Sequence, residues 1–241
     1  MQIRNFLKES FIDYPGKISS VVFVSGCNYR CPSCHVRSIV DGKAEINEEN
    51  FFEYIDSRKG WIEGVVLCGG EPTAQNGIGD FASRIKESGL KVKLDTNGSN
   101  PEMLDELRRE EVIDYVAMDI KAPPRFYSRA VGKKIVFEDM ERSMVITSSF
   151  PDYEFRTTIC PIYKNGSVAE FMNAQEIEEI ANYIIGITIR NDHKYFLQRF
   201  IPRKNELIDL RLEDFPETSE ILMKEAYEKV SKILPKTRIR G

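Results

Sequence analysis

From about residue 19 to residue 202 the chain alternates short apolar runs with longer stretches whose apolar residues recur at helical spacing. Six runs read as strands: 20–24 (SVVFV), 64–68 (GVVLC), 90–96 (LKVKLDT), 115–120 (YVAMDI), 154–159 (EFRTTI) and 195–200 (YFLQRF). They are short and mostly apolar, as strands covered on both faces are. The stretches between them carry helix boundary signals: Asn47 before EENFFEYI, Asn100 followed by Pro101 at the first helical position, and Asn173 before AQEIEEIANYII. Gly89 and Gly186 read as C-terminal stops. A last helix, about 217–234, places Ile221, Leu222, Ala226, Val230 and Ile233 on one stripe and ends at Pro235.

This order predicts an α/β fold with a parallel sheet and crossover helices. Six such units make a partial (β/α)6 barrel, since a closed eightfold barrel takes about 250 residues and two more units. The expected organisation is a single domain over 1–241, with its core at about 15–202. The tail KTRIRG reads as loose, and the Pro-containing connection 121–134 (KAPPRFYSRAVGKK) reads as a mobile loop able to gate a site.

Composition narrows the function classes. With 41% hydrophobic and 30% charged residues in 241, the chain is neither disordered nor fibrous. A net charge of -4 argues against a broad nucleic-acid footprint. No apolar run approaches the roughly 20 residues that span a bilayer, and the N-terminus lacks a signal-peptide core, so a cytoplasmic, membrane-free protein is expected. Five cysteines, three of them crowded together, fit reduced thiols on a metal better than a disulfide framework.

In parallel α/β folds the active groups gather where strands end. After the first predicted strand comes SGCNYRCPSCHV, with Cys27, Cys31 and Cys34 in a loop that also holds Gly26 and Pro32. A 4Fe-4S cube normally takes four thiolates. With three, one iron lacks a protein ligand, and an open coordination position marks catalysis. The alternative is a zinc site completed by His35, but side chains of adjacent residues diverge, which makes His35 a donor to the cluster from outside its ligand set. Later strand ends carry Gly69-Gly70-Glu71, then Asp95, Thr96 and Asn97, then Asp119 and Lys121, then Arg156 and finally Gln198. Carboxylates brought together there need a positive partner, either a bound cation or Lys121.

The segments FIDYPGKISSVVFVSGCNYRCPSCHV, GGEPT, DTNGS, MDIKAP and FRTTICP, spread over about residues 6–202, resemble the radical S-adenosylmethionine (SAM) superfamily. Within it they are similar to the activating proteins of anaerobic ribonucleoside-triphosphate reductase, relatives of pyruvate formate-lyase activase. The resemblance implies a 4Fe-4S cluster on Cys27, Cys31 and Cys34, with the amine and carboxylate of SAM on the open iron. It implies close backbone approach at Gly69 and Gly70, and Glu71 accepting from the methionine ammonium. Thr96, Asn97 and Asp119 would contact SAM, Lys121, Arg156 and Gln198 would contact SAM or the reacting backbone, and Asp95, Thr96 and Asp119 would form a monovalent-cation site. Asp13, Tyr14 and Gly16 would lie near the site.

Ser33 departs from the pattern, standing where the superfamily usually has an aromatic residue, and Tyr29 is placed to compensate. Cys68 and Cys160 read as small buried apolar residues at strand ends. The implied reaction is one-electron cleavage of SAM, followed by hydrogen abstraction from a glycine of a partner glycyl-radical enzyme, with flavodoxin or ferredoxin as electron donor. The rival readings are a small-molecule enzyme of the 7-carboxy-7-deazaguanine synthase type and a non-catalytic iron-sulfur or zinc scaffold.

Overall fold

The computed structural model describes residues 1–240. Strands β1 (Ile3–Ser10), β2 (Ser19–Val24), β3 (Gly64–Gly69), β4 (Lys91–Thr96), β5 (Tyr115–Asp119), β6 (Tyr153–Ile159), β7 (Pro161–Asn165), β8 (Val168–Phe171), β9 (Tyr195–Arg199) and β10 (Thr237–Arg240) account for two sheets. The main sheet has the order β1-β2-β3-β4-β5-β6-β9-β10, and β7 and β8 form a separate hairpin. From β2 to β10 every pairing is parallel, while β1 lies antiparallel on β2. The edges β1 and β10 do not meet, so the parallel α/β sheet stays open, as a partial barrel requires.

The helices are α1 (Arg37–Val40), α2 (Glu48–Ser57), α3 (Ile78–Glu87), α4 (Pro101–Arg109), α5 (Tyr127–Ala130), α6 (Phe137–Thr147), α7 (Ala174–Thr188) and α8 (Glu220–Val230). Three begin where the asparagines predict: Asn47 accepts from Glu49 N, Asn100 from Met103 N, and Asn173 forms a reciprocal capping box with Glu176. Phe51, Ile55, Phe81, Ile85, Leu104 and Leu107 of α2–α4 bury against β2–β5. Helices α6–α8 build a second layer over β5, β6 and β9 through Met144, Ile177, Ile184, Ala226 and Val230. Among the described residues no helix is long and apolar enough to cross a membrane.

Several expectations are corrected. β1 precedes the first predicted strand; as an edge strand it buries little beyond Ile3 and Ser10, so its sequence lacks a clean alternation. Gly186 lies inside α7, which runs on to Thr188 and stops at Ile189 in the left-handed conformation. Ile221 is exposed, and Met223 takes its place on the buried stripe of α8. The connection 121–134 is built structure: a 3₁₀ turn at Pro124–Phe126, then α5, with Tyr127 fully buried. The tail is not loose up to Arg240, because 237–240 is strand β10; Gly241 lies outside the described residues. Its Arg240 reaches the fully buried carboxylate of Glu154, with Nη1 2.6 Å from Oε1 and Nη2 2.8 Å from Oε2. A carboxylate in that position needs a cation, and the tail supplies it.

Alternate positions along each strand share one face. Val22, Val65, Leu67, Val92, Leu94 and Val116 face the helices. The opposite face carries Tyr14, Val21, Val66, Tyr115 and Ala117, and in the same alternation Lys93, Asp95, Asp119, Glu154 and Arg156. The charge of β4–β6 at Lys93, Asp95, Asp119, Glu154 and Arg156 thus stands on the inner face of the sheet.

Candidate active site

The loop after β2 turns at Gly26, whose φ is +82°, and is pinned on three sides. Gly26 N donates to Ile39 O, Arg30 N to Val131 O at 2.9 Å, and Ile208 N and Asp209 N to Cys34 O and Pro32 O. The thiols of Cys27, Cys31 and Cys34 are free and line one cavity of about 400 Å³. Tyr29 N donates to Cys27 Sγ at 3.4 Å. Burial pushes the Cys31 thiol up to about 12, with Lys121 opposing.

The same cavity collects the other sequence-predicted residues: Gly69, Gly70 and Glu71 at the end of β3 and just past it, Asp95, Thr96 and Asn97 at the end of β4, Asp119 and Lys121 at the end of β5, Arg156 on β6 and Gln198 on β9. Gly70 is fixed by contact. A Cβ there would stand 1.7 Å from Gly26 O, and Glu71 N donates to that same carbonyl at 2.9 Å. The GGE segment therefore packs directly on the cysteine loop.

Glu71 is buried and takes four donors: Thr73 N (3.1 Å), Thr73 Oγ1 (2.6 Å) and Thr96 Oγ1 (2.7 Å) on Oε1, and Asn97 N (2.7 Å) on Oε2. Burial raises its pKa and these donors oppose the rise. A carboxylate has about four acceptor positions. Glu71 thus ties the loop after β3 to the loop after β4 while it lines the cavity.

Asp95 and Asp119 are joined by Arg156, whose Nη1 lies 2.8 Å from Asp95 Oδ2 and whose Nε lies 2.8 Å from Asp119 Oδ1. Lys93 pairs with the other oxygen of Asp95, and Lys121 Nζ lies 3.1 Å from Asp119 Oδ2. The result is an alternating chain, Lys93, Asp95, Arg156, Asp119, Lys121. Burial pushes both carboxyls up, but Arg156 and the lysines outweigh it and hold Asp119 at about 2. Arg156 and Lys121 are shifted well above their ordinary values by the same partners, against burial. Asp95 and Asp119 are thus paired with side-chain cations, and the Thr96 hydroxyl donates to Glu71.

Four contributors escape sequence reasoning. Asn28 Oδ1 accepts from Asn97 Nδ2 at 2.9 Å, and its own Nδ2 donates to Ser99 Oγ at 2.6 Å, tying the cysteine loop to the loop after β4. Lys93 is buried in mid-strand, where a lysine reads as a solvent-facing residue. Cys160 lines the cavity and accepts from Ser33 Oγ at 3.3 Å, and Cys68 lines it too, so neither is only a core residue. Tyr29 is buried and lines the same cavity as Ser33. His35 packs against Phe200 at 5.4 Å between tilted rings, with its Nε2 buried and without a partner among the described residues. Asp13, Tyr14 and Gly16 do not join the site. They precede β2, whereas the cysteines follow it, so they form a turn at the far end of the sheet, with Tyr14 packed against Tyr115.

Three free thiols line one cavity at the carboxyl end of an open parallel sheet, beside fixed cations, and are a donor set able to hold a metal cluster. Residues 21–149 match the family model of the Radical SAM superfamily, and the chain belongs to that superfamily. Its members carry a 4Fe-4S cluster and use SAM, and the trio of thiols here fits such a cluster. The chain is 34% identical over 201 residues to a Methanocaldococcus jannaschii protein named as a glycyl-radical enzyme activating enzyme, covering 80% of this chain and 78% of that one. It is 33% identical over 122 residues to the pyruvate formate-lyase-activating enzyme of Listeria monocytogenes, 46% of this chain and 49% of the relative. The fold matches Streptococcus suis SuiB bound to S-adenosylmethionine with a TM-score of 0.64 at 11% identity, over 92% of this chain and about half (52%) of SuiB.

Proposed function

We propose that this protein installs a glycyl radical on a partner enzyme, and that the partner is an anaerobic ribonucleoside-triphosphate reductase. The observation that carries the reading is the meeting of three thiols with the Asp95-Arg156-Asp119 chain in one cavity, in a chain related along most of its length to a protein named as a glycyl-radical enzyme activating enzyme. When bound, the cluster and SAM supply one-electron cleavage to methionine and a 5'-deoxyadenosyl radical.

The chain's own residues bind and orient. Cys27, Cys31 and Cys34 hold the cluster. Lys121 and Arg156 keep their charge at any working pH and face the cavity, where they attract the carboxylate of SAM. Gly69, Gly70 and Asn97 shape the wall beside it, and Gln198 presents an amide from β9. Fixed dipoles and charges of this kind need no reorganisation during reaction. The unclosed sheet lets an extended glycine-bearing peptide reach the cavity, and a seated peptide excludes water.

The test is electron paramagnetic resonance of the reconstituted, reduced protein with SAM and the reductase. A glycyl radical signal with matching 5'-deoxyadenosine is expected. Cleavage of SAM with no radical on the reductase overturns the partner assignment, and 5'-deoxyadenosine formed only with a deazapurine precursor moves the site to the small-molecule class.

A further inference from the structure

The cysteine loop is anchored in two halves. Its first half is tied to neighbours of the sheet: Gly26 N donates to Ile39 O, Glu71 N to Gly26 O, and Arg30 N to Val131 O. Its second half, residues 32–37, is tied to a strap of chain at 206–209, beyond β9. Ile208 N donates to Cys34 O at 3.1 Å, Asp209 N to Pro32 O at 3.0 Å, and Arg37 N to Glu206 O at 3.3 Å. Cys34 bonds the strap through its own carbonyl, whereas the carbonyls of Cys27 and Cys31 accept within the loop, from Arg30 Nη1 and from Cys34 N.

The strap needs an anchor of its own. Residues 203–206 are exposed, and burial holds it only at Leu207. The next hold is Asp209, whose largely buried carboxylate accepts from Tyr163 OH at 2.6 Å and from Arg211 N, Nε and Nη2 at 3.1, 2.9 and 2.7 Å. Tyr163 stands on β7, in a hairpin that is itself fixed: Lys164 lies 2.7 Å from Glu176, and Phe171 packs edge-on against Phe200 and Phe215. Asp209 therefore joins this hairpin, through its carboxylate, to the cysteine loop, through its N–H. Neither Asp209 nor Tyr163 lines the cavity. The strap is also an outer wall, because His35 faces the cavity on one side and a surface groove with Asn205 and Glu206 on the other.

We propose that Asp209 is a positioning residue for the cluster: latched to Tyr163, it holds the strap that keeps Cys34 in place among the three thiols. The inference rests on the reading of these thiols as cluster ligands. A hydrogen bond to an ionised acceptor is stronger than a neutral one. Surface segments open locally at a fraction of the free energy of global unfolding, so losing such a bond raises the open population of the segment it holds. The first half of the loop has separate anchors and stays closed.

The experiment uses the 241-residue chain with Tyr163→Phe, which removes one oxygen, with Asp209→Ala, and with both. Iodoacetamide labels the metal-free proteins under native conditions, and tryptic cleavage after Arg30 places Cys27 and Cys34 in different peptides for mass spectrometry. In Tyr163→Phe, Cys34 is expected to react about tenfold faster than in the parent, with Cys27 at the parent's rate. The double variant should match Asp209→Ala, because the hydroxyl acts only through Asp209. The reconstituted variants should also release iron to bathophenanthroline about tenfold faster. An unchanged Cys34, an equal rise at Cys27, independent effects in the double variant, or iron release at the parent's rate overturns the proposal. Should the parent take up no iron while the contrast between Cys34 and Cys27 persists, the proposed function falls and the latch on Cys34 stands.

Discussion

Arg156 Nε stands 2.8 Å from Asp119 Oδ1 in a cavity wall where neither side chain is well hydrated. Since the same guanidinium also holds Asp95, one residue bridges two partly buried carboxylates. Replacing it with methionine leaves Lys93 and Lys121 to pair with them alone. Breaking a buried pair from one side costs about 3–5 kcal/mol. Arg156→Met is therefore expected to lose several kcal/mol in anaerobic urea unfolding, and a change within error would show that the chain of charges does not contribute to stability.

The same arrangement sets an acid limit. Burial opposes ionisation of Asp119, but Arg156 first and Lys121 after it hold its pKa at about 2, below the ordinary value of 3.8. A depressed carboxylate contributes stability that is complete above its unfolded pKa and is lost as the pH falls through the folded one. The urea midpoint should thus hold steady down to about pH 4 and drop between pH 4 and pH 2. Asp119→Asn, less stable at neutral pH, should show a shallower drop over that window. Parallel curves for the two proteins would assign the acid loss to other groups.

The legible parts of this fold are those where local pattern and burial agree. Val21, Val22, Val65, Val66 and Leu67 stand in strands covered on both faces, and such runs are visible as continuous apolar sequence. The cysteine spacing was legible for a chemical reason, since few other uses require three thiols so close together. Lys93 was not. In KVKLD, Lys91 is exposed at the strand start, while Lys93, two residues on and on the same face, is buried beside Asp95. Alternation reports which residues share a face and says nothing of where along the strand that face passes from solvent into the sheet interior. Glu71 was legible as a site residue, but two of its four donors, Thr96 Oγ1 and Asn97 N, come from a loop that meets it only in three dimensions.

Gly70 offers a test of the packing between loops. A methyl group there collides with Gly26 O, a backbone atom that cannot swing aside. Gly70→Ala is expected to displace the cysteine loop and to lower the iron retained after reconstitution by more than half, with the helical circular dichroism unchanged. Gly186→Ala is the matched control: it sits in α7 with nothing within 4 Å of the added methyl. Removing a helical glycine should stabilise by about 0.5–1 kcal/mol and leave iron content alone. Equal iron in both variants would show that the contact at Gly70 does not fix the loop.

The last strand poses the sharpest energetic question, because four residues at the end of the chain serve a carboxylate buried in β6. Glu154 is fully buried, accepts from Tyr115 OH at 2.7 Å, and owes its positive partner to Arg240. Arg240 also stacks on Phe196 at 3.7 Å, so removing it loses packing as well as charge. Truncation after residue 236 removes both and strands the carboxylate, for an expected loss of about 3 kcal/mol or more. Glu154→Gln keeps the shape and the tyrosine contact without the charge. If the unpaired anion is the main cost, truncation in the Glu154→Gln background should be less damaging than in the parent by about 1–3 kcal/mol. A coupling near zero in that double-mutant cycle would mean that β10 matters through strand pairing with β9 and the contact with Phe196 alone, and that Glu154 is neutral when Arg240 is gone.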